Sequence, residues 1–292
     1  MRKWAGDKVY EAMWEPMVIG KFGKRYAKVV NMAWMWARFH ARTTQLSTFQ
    51  GGFQAFADRF AARLQEMGAH IRLETPVQSI TPTPDGRLSL AAAGGEEVYD
   101  QCLATISPGL LARMAPGLPA DYLQGLLALK SIGAVVMTLA LKHQLSKEGY
   151  YWFNLPKSAG FPFLALVEHT NYLSPEYFNG DHILYIGDYL EPEHEFFRLS
   201  KEEILQRYLP ALSRFNPEFK PDWVRQSWLH RTTYAQPVPL VNHSQNIPAI
   251  RTPLAGLYFA SMSQVYPWDR GTNYAVQIAR RAARQMLADA QQ

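Results

Sequence analysis

One cysteine, Cys102, stands in the whole chain, so no disulfide can form within it. Its apolar setting, Gln-Cys-Leu-Ala-Thr-Ile, fits a buried strand position in a reducing compartment. Long apolar runs are missing too: the longest, Ile132 to Leu141, falls well short of a bilayer span. The opening Met1-Arg2-Lys3-Trp4 leads into an amphipathic segment and not into the continuous apolar core of a signal peptide. A cytoplasmic location is therefore expected; the aromatic and basic residues near the amino terminus suit a packed internal face first and peripheral membrane contact second. Runs of Lys and Arg are absent and the net charge is only +5, which excludes a nucleic-acid partner. The eight histidines show no paired spacing with Cys or carboxylates, so no metal site is expected, and Glu191-Pro192-Glu193-His194-Glu195 reads as a solvated loop. Neither a Gly-Xaa-Ser-Xaa-Gly elbow nor a P-loop occurs, and no side chain stands out as a compulsory acid or base. Catalytic residues stay unassigned.

What the chain does have is a globular balance, 48% hydrophobic and 19% charged, and many rings: 15 Tyr, 15 Phe and 8 Trp. Such aromatic content suits a cavity for a flat or apolar substrate, or else thick aromatic core layers. The most informative stretch runs from Pro253 to Arg284. Leu257-Tyr258-Phe259-Ala260 reads as a short buried strand, and a helix opens about a dozen residues later at Gly271-Thr272-Asn273. Ala275, Ile278, Ala279, Ala282 and Met286 recur along it at helical spacing, giving a face of small residues. The first turn leaves N–H groups unpaired, and with the helix dipole these favour an electron-rich ligand edge: a reduced flavin, a phosphate or a carboxylate. An ordinary core strand followed by a docking helix has the same pattern.

Earlier in the chain, residues 4 to 15 predict a helix carrying Trp4, Val9, Met13 and Trp14 and ended by Pro16. Gly20 and Gly23 punctuate the next segment, and a second helix carries Tyr26, Val29, Val30, Ala33, Trp34 and Ala37. Gly51-Gly52 opens a third, with Phe53, Phe56, Ala57, Phe60, Ala61 and Leu64 on its apolar face, closing at Gly68. Short strands are expected at 70–73 and 76–80, a hairpin turn at Asp85-Gly86, another turn at Gly94-Gly95, and an apolar strand over 101–106. Helices interrupted by Pro116 and Pro119 lead to a long buried strand from Gly133 to Leu141, then to strands at 151–153, 163–167 and 183–186. Ser200 with Glu203 predicts a capping box and a helix to about Leu212; a strand over 224–229 and an extended turn over 234–239 come next. His230-Arg231, just after that strand, reads as a surface pair.

The order Gly256-Leu257-Tyr258-Phe259-Ala260, a loop, Gly271-Thr272-Asn273-Tyr274-Ala275-Val276 and Ala282-Ala283 resembles the carboxyl-terminal flavin motif of the FAD-dependent amine oxidase, protoporphyrinogen oxidase and phytoene desaturase superfamily. The block from Gly51-Gly52 through the Val77-Gln78-Ser79-Ile80 strand to the strand over 101–106 is similar to the middle of the same FAD domain. Trp14-Glu15-Pro16 with Gly20-Lys21-Phe22-Gly23 resembles its helical substrate-domain segment, and Tyr234-Ala235-Gln236-Pro237 its turn before the flavin strand. The resemblance implies FAD as cofactor. It places Gly271, Thr272 and Asn273 beside the isoalloxazine ring, Val77 over the adenine, Ala104 and Thr105 at the adenosine half, and Trp228, Tyr234, Tyr266 and Trp268 as walls of the substrate cavity. Ser261-Met262 stands where the family usually has Gly-Asp, so the acidic contact to the cofactor is absent or replaced. Aligned on Gly133, the position of the amine oxidases' flavin-side lysine holds Met137, which favours desaturase-like or porphyrinogen-like chemistry over simple amine oxidation.

The family's other grip, a Gly-Xaa-Gly-Xaa-Xaa-Gly turn after a first strand, has no counterpart here: Gly51-Gly52 lacks a third glycine and a preceding apolar strand, and Gly94-Gly95 lies in a turn. The expectation is therefore an α+β fold derived from α/β. It comprises an incomplete FAD-binding domain of the amine-oxidase and glutathione-reductase type and a substrate domain with a mixed antiparallel sheet and helices. Residues 1–49 and 108–253 are assigned to the substrate domain, 50–107 and 254–292 to the FAD domain. The chain is expected to be the later part of a truncated or split flavoprotein, acting on an apolar or aromatic small molecule. A separate dinucleotide-binding polypeptide is its expected partner, and alone it would hold FAD poorly. A non-catalytic binding module that has lost its cofactor is the alternative.

Overall fold

In the computed structural model, which describes residues 1–41, 43 and 45–291, Pro16 does not end the first helical stretch. Short helices α1 (Arg2–Ala5) and α2 (Asp7–Val9) and a π-helical turn (Tyr10–Trp14) run into α3 (Glu15–Tyr26), and Pro16 sits in the first turn of α3. The widened π turn just before it, in which the Glu15 N–H bonds to the Tyr10 carbonyl, accommodates the missing N–H and lets the helix continue. Gly20 is not a break either: it lies inside α3, and a Cβ on it would approach Leu164 Cδ1 to 3.0 Å, so it serves close packing. The kink falls at Gly23, whose φ of 78° suits glycine. The expected continuous second helix is also interrupted. Val30 forms an antiparallel bridge with Leu240, and Asn31 then caps α4 (Met32–His40) by accepting the Ala33 N–H at 2.7 Å.

Helix α5 (Gly52–Glu66) forms where the glycine pair predicts it, yet none of its residues is buried. The strand expected at 70–73 is irregular chain, with Leu73 81% exposed, because no strand among the described residues pairs with it. Strands β1 (Val77–Pro82), β2 (Leu88–Ala92) and β3 (Gly95–Tyr99) make an antiparallel meander through the turns at Asp85-Gly86 and Gly94-Gly95. The short β4 (Cys102–Ala104) precedes α6 (Pro108–Met114), capped by Ser107, and α7 (Ala120–Ala128).

Strands β5 (Ser131–Leu141), β6 (Trp152–Asn154), β7 (Ala165–Glu168), β8 (His182–Leu190) and β9 (Val224–Pro237) form an antiparallel sheet in the order β6-β7-β8-β5-β9. Helix α8 (Lys201–Leu212) starts at the Ser200–Glu203 capping box and packs Ile204, Tyr208 and Leu212 into one cluster with Val135, Met137 and Leu139 of β5. β9 is longer than expected and takes in His230, Arg231 and Tyr234–Pro237, because its pairing with β5 continues to Ser131↔Pro237. Finally β10 (Leu257–Phe259) lies parallel to β4, with Leu257 opposite Cys102 and Phe259 opposite Ala104, and α9 (Thr272–Asp289) closes the fold. Of its expected apolar face only Ile278 and Ala282 are buried, against Ile250, Tyr258 and Ala260; Ala275 and Ala279 are exposed.

The architecture is mixed α+β, in two compact units: Met1–Val30 with Ser131–Leu240, and Asn31–Lys130 with Val241–Gln292. These boundaries differ from the expected ones. Residues 31–49, 108–130 and 241–253 fall in the same unit as β4, β10 and α9, since α6 and α7 share a core with the strands: Leu111 and Leu126 pack with Leu257 and Phe259.

Candidate functional site: the β10 to α9 corner

At the end of β10 the chain turns through Ser261. Its hydroxyl accepts the Ser263 N–H at 3.3 Å, and its own N–H is taken by Gln264 Oε1 at 2.6 Å, a reciprocal cap on the short 3-10 turn Met262–Gln264. The Gln264 amide then donates to the carbonyls of Phe259 and Pro248, both at 3.0 Å, so one buried side chain ties the strand end to a neighbouring loop. His243, 6% exposed, bonds to the Ser263 carbonyl at 3.2 Å, and burial pushes the pKa of its imidazole below the usual range. Ser261 is buried and Met262 half-buried.

The loop between this turn and α9 is held by α4. Asn31 Nδ2 donates to the Tyr266 hydroxyl at 2.7 Å, and Arg38 Nη1 donates to Asp269 Oδ2 at 2.7 Å. Trp268 lies nearly parallel to Tyr274 with centroids 6.1 Å apart, and tilts against Trp36 at 6.0 Å and His40 at 6.2 Å; Trp36 and His40 stack at 4.7 Å. Trp268 and Tyr274 lie just before and within the first turn of α9, and Trp36 and His40 pack on Trp268. Gly271 is half-buried, Thr272 and Asn273 are exposed, and no side chain caps the helix. Among the described residues the Thr272 and Asn273 N–H groups have no hydrogen-bond partner. At its far end α9 is pinned to β10: Tyr258 donates to Asp289 Oδ2 at 2.6 Å and Arg251 forks onto the same carboxylate. Two bare amides at a helix N-terminus, with the Trp268–Tyr274 ring pair at neighbouring positions of the chain, fit the electron-rich edge of a flat heterocycle. A cradle for a pyrophosphate is another matter: among the described residues no glycine-rich turn links an apolar parallel strand to a helix.

The remaining expected site residues are spread between the units. Val77 begins β1 and packs on the cluster that contains Ala104, at the end of β4; Thr105 is exposed. Trp228 and Tyr234 both lie on β9, in the other unit, Trp228 43% exposed and Tyr234 half-buried. Met137 points into the sheet's core, and its outward neighbours Val136 and Thr138 are not lysines, so no one-residue shift brings an amine to this strand. Asn31, Trp36, His40 and Gln264 are not anticipated by any sequence motif. Only the helical recurrence of Trp36 and His40 could have signalled them. Among the described residues no group of His, Cys, Asp and Glu could hold a metal ion, and no helix is long and apolar enough to cross a membrane.

The model of the family described as flavin containing amine oxidoreductase matches residues 10–287. Among solved structures, a protein from Exiguobacterium sp. 255-15 assigned as a protoporphyrinogen oxidase is similar over 97% of this chain and 66% of its own, with a TM-score of 0.70 and 20% identity. Putrescine oxidase bound to putrescine is similar over 82% of this chain and 53% of its own, at 0.62 and 18%. Reduced UDP-galactopyranose mutase is similar over 83% and 55%, at 0.63 and 12%. At these identities the likeness is one of fold, and the chain spans between about half and two thirds of the length of these proteins. No curated protein matches it in sequence.

Proposed function

The chain belongs to the flavin-containing amine oxidoreductase family, and from that premise we propose that it is the later portion of an FAD-dependent oxidoreductase that takes hydride from a C–H bond of a largely apolar substrate, oxidising a C–C or C–N unit. The observation that carries this reading is the uncapped start of α9, where the amides of Thr272 and Asn273 stand bare beside Trp268 and Tyr274. When bound there, FAD supplies the redox chemistry. Thr272 and Asn273 would stabilise negative charge at the ring edge, and Trp268 with Tyr274 would offer ring faces and exclude water. Ser261 and Gln264 are already committed to each other, so their part is to fix the strand end and not to replace the family's acidic contact. With no lysine on β5, we assign no proton-transfer residue, and positioning is the protein's main contribution.

The other end of the nucleotide needs its own grip. A dinucleotide-binding βαβ segment outside these residues, on the same protein or on a separate polypeptide, would hold the pyrophosphate. Two features support this: the lack of a glycine cradle among the described residues, and the free edge of β4, where the Leu103 N–H and C=O have no partner in the β4–β10 ladder or elsewhere among the described residues. The test is the visible spectrum of the purified chain, alone and after co-expression with such a polypeptide. Flavin absorbance in the co-expressed sample is the expected result. A sample that stays colourless in both would favour the cofactor-free binding module instead.

A further inference from the structure

The sequence leaves two uses open for the aromatic and basic residues near the amino terminus, an internal face or a membrane surface, and exposure separates them. Trp4 of α1, Val9 of α2, Met13 of the π turn and Met17 of α3 are 81%, 41%, 55% and 38% exposed, so the described residues do not bury them. The packing of α3 is carried by other side chains, with Val18, Phe22 and Tyr26 buried. No helix among the described residues is long and apolar enough to cross a membrane, which leaves contact with its surface as the use to weigh.

Charge is concentrated in the same stretch. Residues 1–30 hold seven Lys or Arg against three Asp or Glu, a balance of +4 out of the +5 carried by the whole chain. Two of the three acids are already neutralised, since Arg2 reaches Asp7 at 2.9 Å and Glu11 at 2.8 Å. Lys3, Lys8, Lys24 and Lys28 are exposed and make no ion pair among the described residues. Lys3 and Lys8 stand next to Trp4 and Val9 in the chain, and Lys24 and Lys28 follow Met17. The other exposed apolar set, the phenylalanines of α5, lacks such an excess, because Asp58 and Glu66 balance Arg59 and Arg63. An indole and flexible apolar side chains gain by entering the boundary between headgroups and acyl chains, while lysine stems let their ammonium groups stay in water beside lipid phosphates. Unpaired lysines add to that attraction only where the lipid is anionic.

We propose that the amino-terminal helices dock on the surface of a bilayer rich in anionic phospholipid, with Trp4, Val9, Met13 and Met17 entering the interface and Lys3, Lys8, Lys24 and Lys28 meeting the lipid phosphates. The test is co-sedimentation of the purified chain, without flavin, with vesicles of mixed phosphatidylglycerol and phosphatidylcholine and with vesicles of phosphatidylcholine alone. Saturable binding to the mixed vesicles is expected, weaker by about tenfold or more on phosphatidylcholine alone and weakened by added salt. Lys24→Glu with Lys28→Glu should weaken binding to the mixed vesicles by about tenfold or more. Trp4→Ser with Met13→Ser, both at exposed positions, should weaken it by about fivefold or more. Phe53→Ser with Phe60→Ser on α5 should leave it unchanged. The proposal is overturned if the chain stays in the supernatant with both vesicle types, which would leave this face to a protein partner. It is equally overturned if binding ignores the lipid charge, or if it is lost with the α5 changes and kept with the amino-terminal ones. The lipid comparison uses the wild-type chain, so a variant that fails to fold does not remove the test, and the flavin spectrum reports on the cofactor separately.

Discussion

Gln264 accepts one backbone N–H and donates to the carbonyls of Phe259, Pro248 and Ala249 from a buried position, so removing its amide strands several polar groups at once. Each buried group left unpaired costs about 1–3 kcal/mol, and Gln264→Leu should lower unfolding free energy by about 2–4 kcal/mol in urea titrations. A loss within experimental error would mean the strand end is held by other contacts. Thr272→Pro is a gentler probe of the bare amides. Gly271 is extended (φ 175°, ψ 161°), a conformation that tolerates a following proline, and proline is well placed at the first helical position. The variant should therefore fold like wild type yet quench riboflavin fluorescence less at equal concentration; unchanged quenching would remove the amide from the ring-edge role. Asp289 offers a test by pH. Its hydrogen bonds to Arg251 and then Tyr258 hold its carboxyl below the usual range, so the stabilisation is present above the ordinary carboxylate pKa and is lost as pH falls through the lowered one. Accordingly, the stability gap between wild type and Asp289→Asn should be full at neutral pH and close only in strong acid. A gap independent of pH would show that charge plays no part.

Among the elements, α5 is the one whose sequence and surroundings disagree. Phe53, Phe56 and Phe60 of α5, with Phe49 just before it, form a chain of ring contacts 4.3 to 5.9 Å between centroids on a helix with no buried residue, and Phe53 and Phe60 are 58% and 55% exposed. The helical period is plain in the sequence; what is not legible there is that none of the described residues covers that face. The strand expected at 70–73 fails for the same reason, since alternation of side chains needs a neighbouring strand before it becomes a ladder. By contrast β5, α8 and β10 are legible because their partners are all present: pleat, capping box and parallel register agree. At Pro16 a local signal points the wrong way, because a π turn lets the helix run on through the proline. Exposure also sets the energetic prediction. Phe53→Ser and Phe60→Ser should change the stability of the isolated chain by about 0.5 kcal/mol or less, whereas Phe22→Ala, at a fully buried position of α3, should cost about 3–5 kcal/mol. If the two surface changes cost as much as the buried one, α5 is covered in solution by something with real affinity.

For the whole molecule the question is whether one end of a nucleotide can be held without the other. A ligand that binds only the native state raises stability by an amount fixed by its concentration relative to Kd, about 2.7 kcal/mol at a hundredfold excess. Here the chain offers the ring edge two amides and a set of aromatic faces, and offers a pyrophosphate no glycine turn among the described residues. Because loss of charge-assisted phosphate contacts is not made up by ring stacking, FAD should bind the isolated chain no better than riboflavin does, and neither should raise the unfolding temperature appreciably. Added together with a dinucleotide-binding polypeptide, FAD should raise it clearly and riboflavin should not, since only FAD reaches both grips. A large shift by FAD on the chain alone would defeat the two-part arrangement, for it would require a phosphate site among residues that show none.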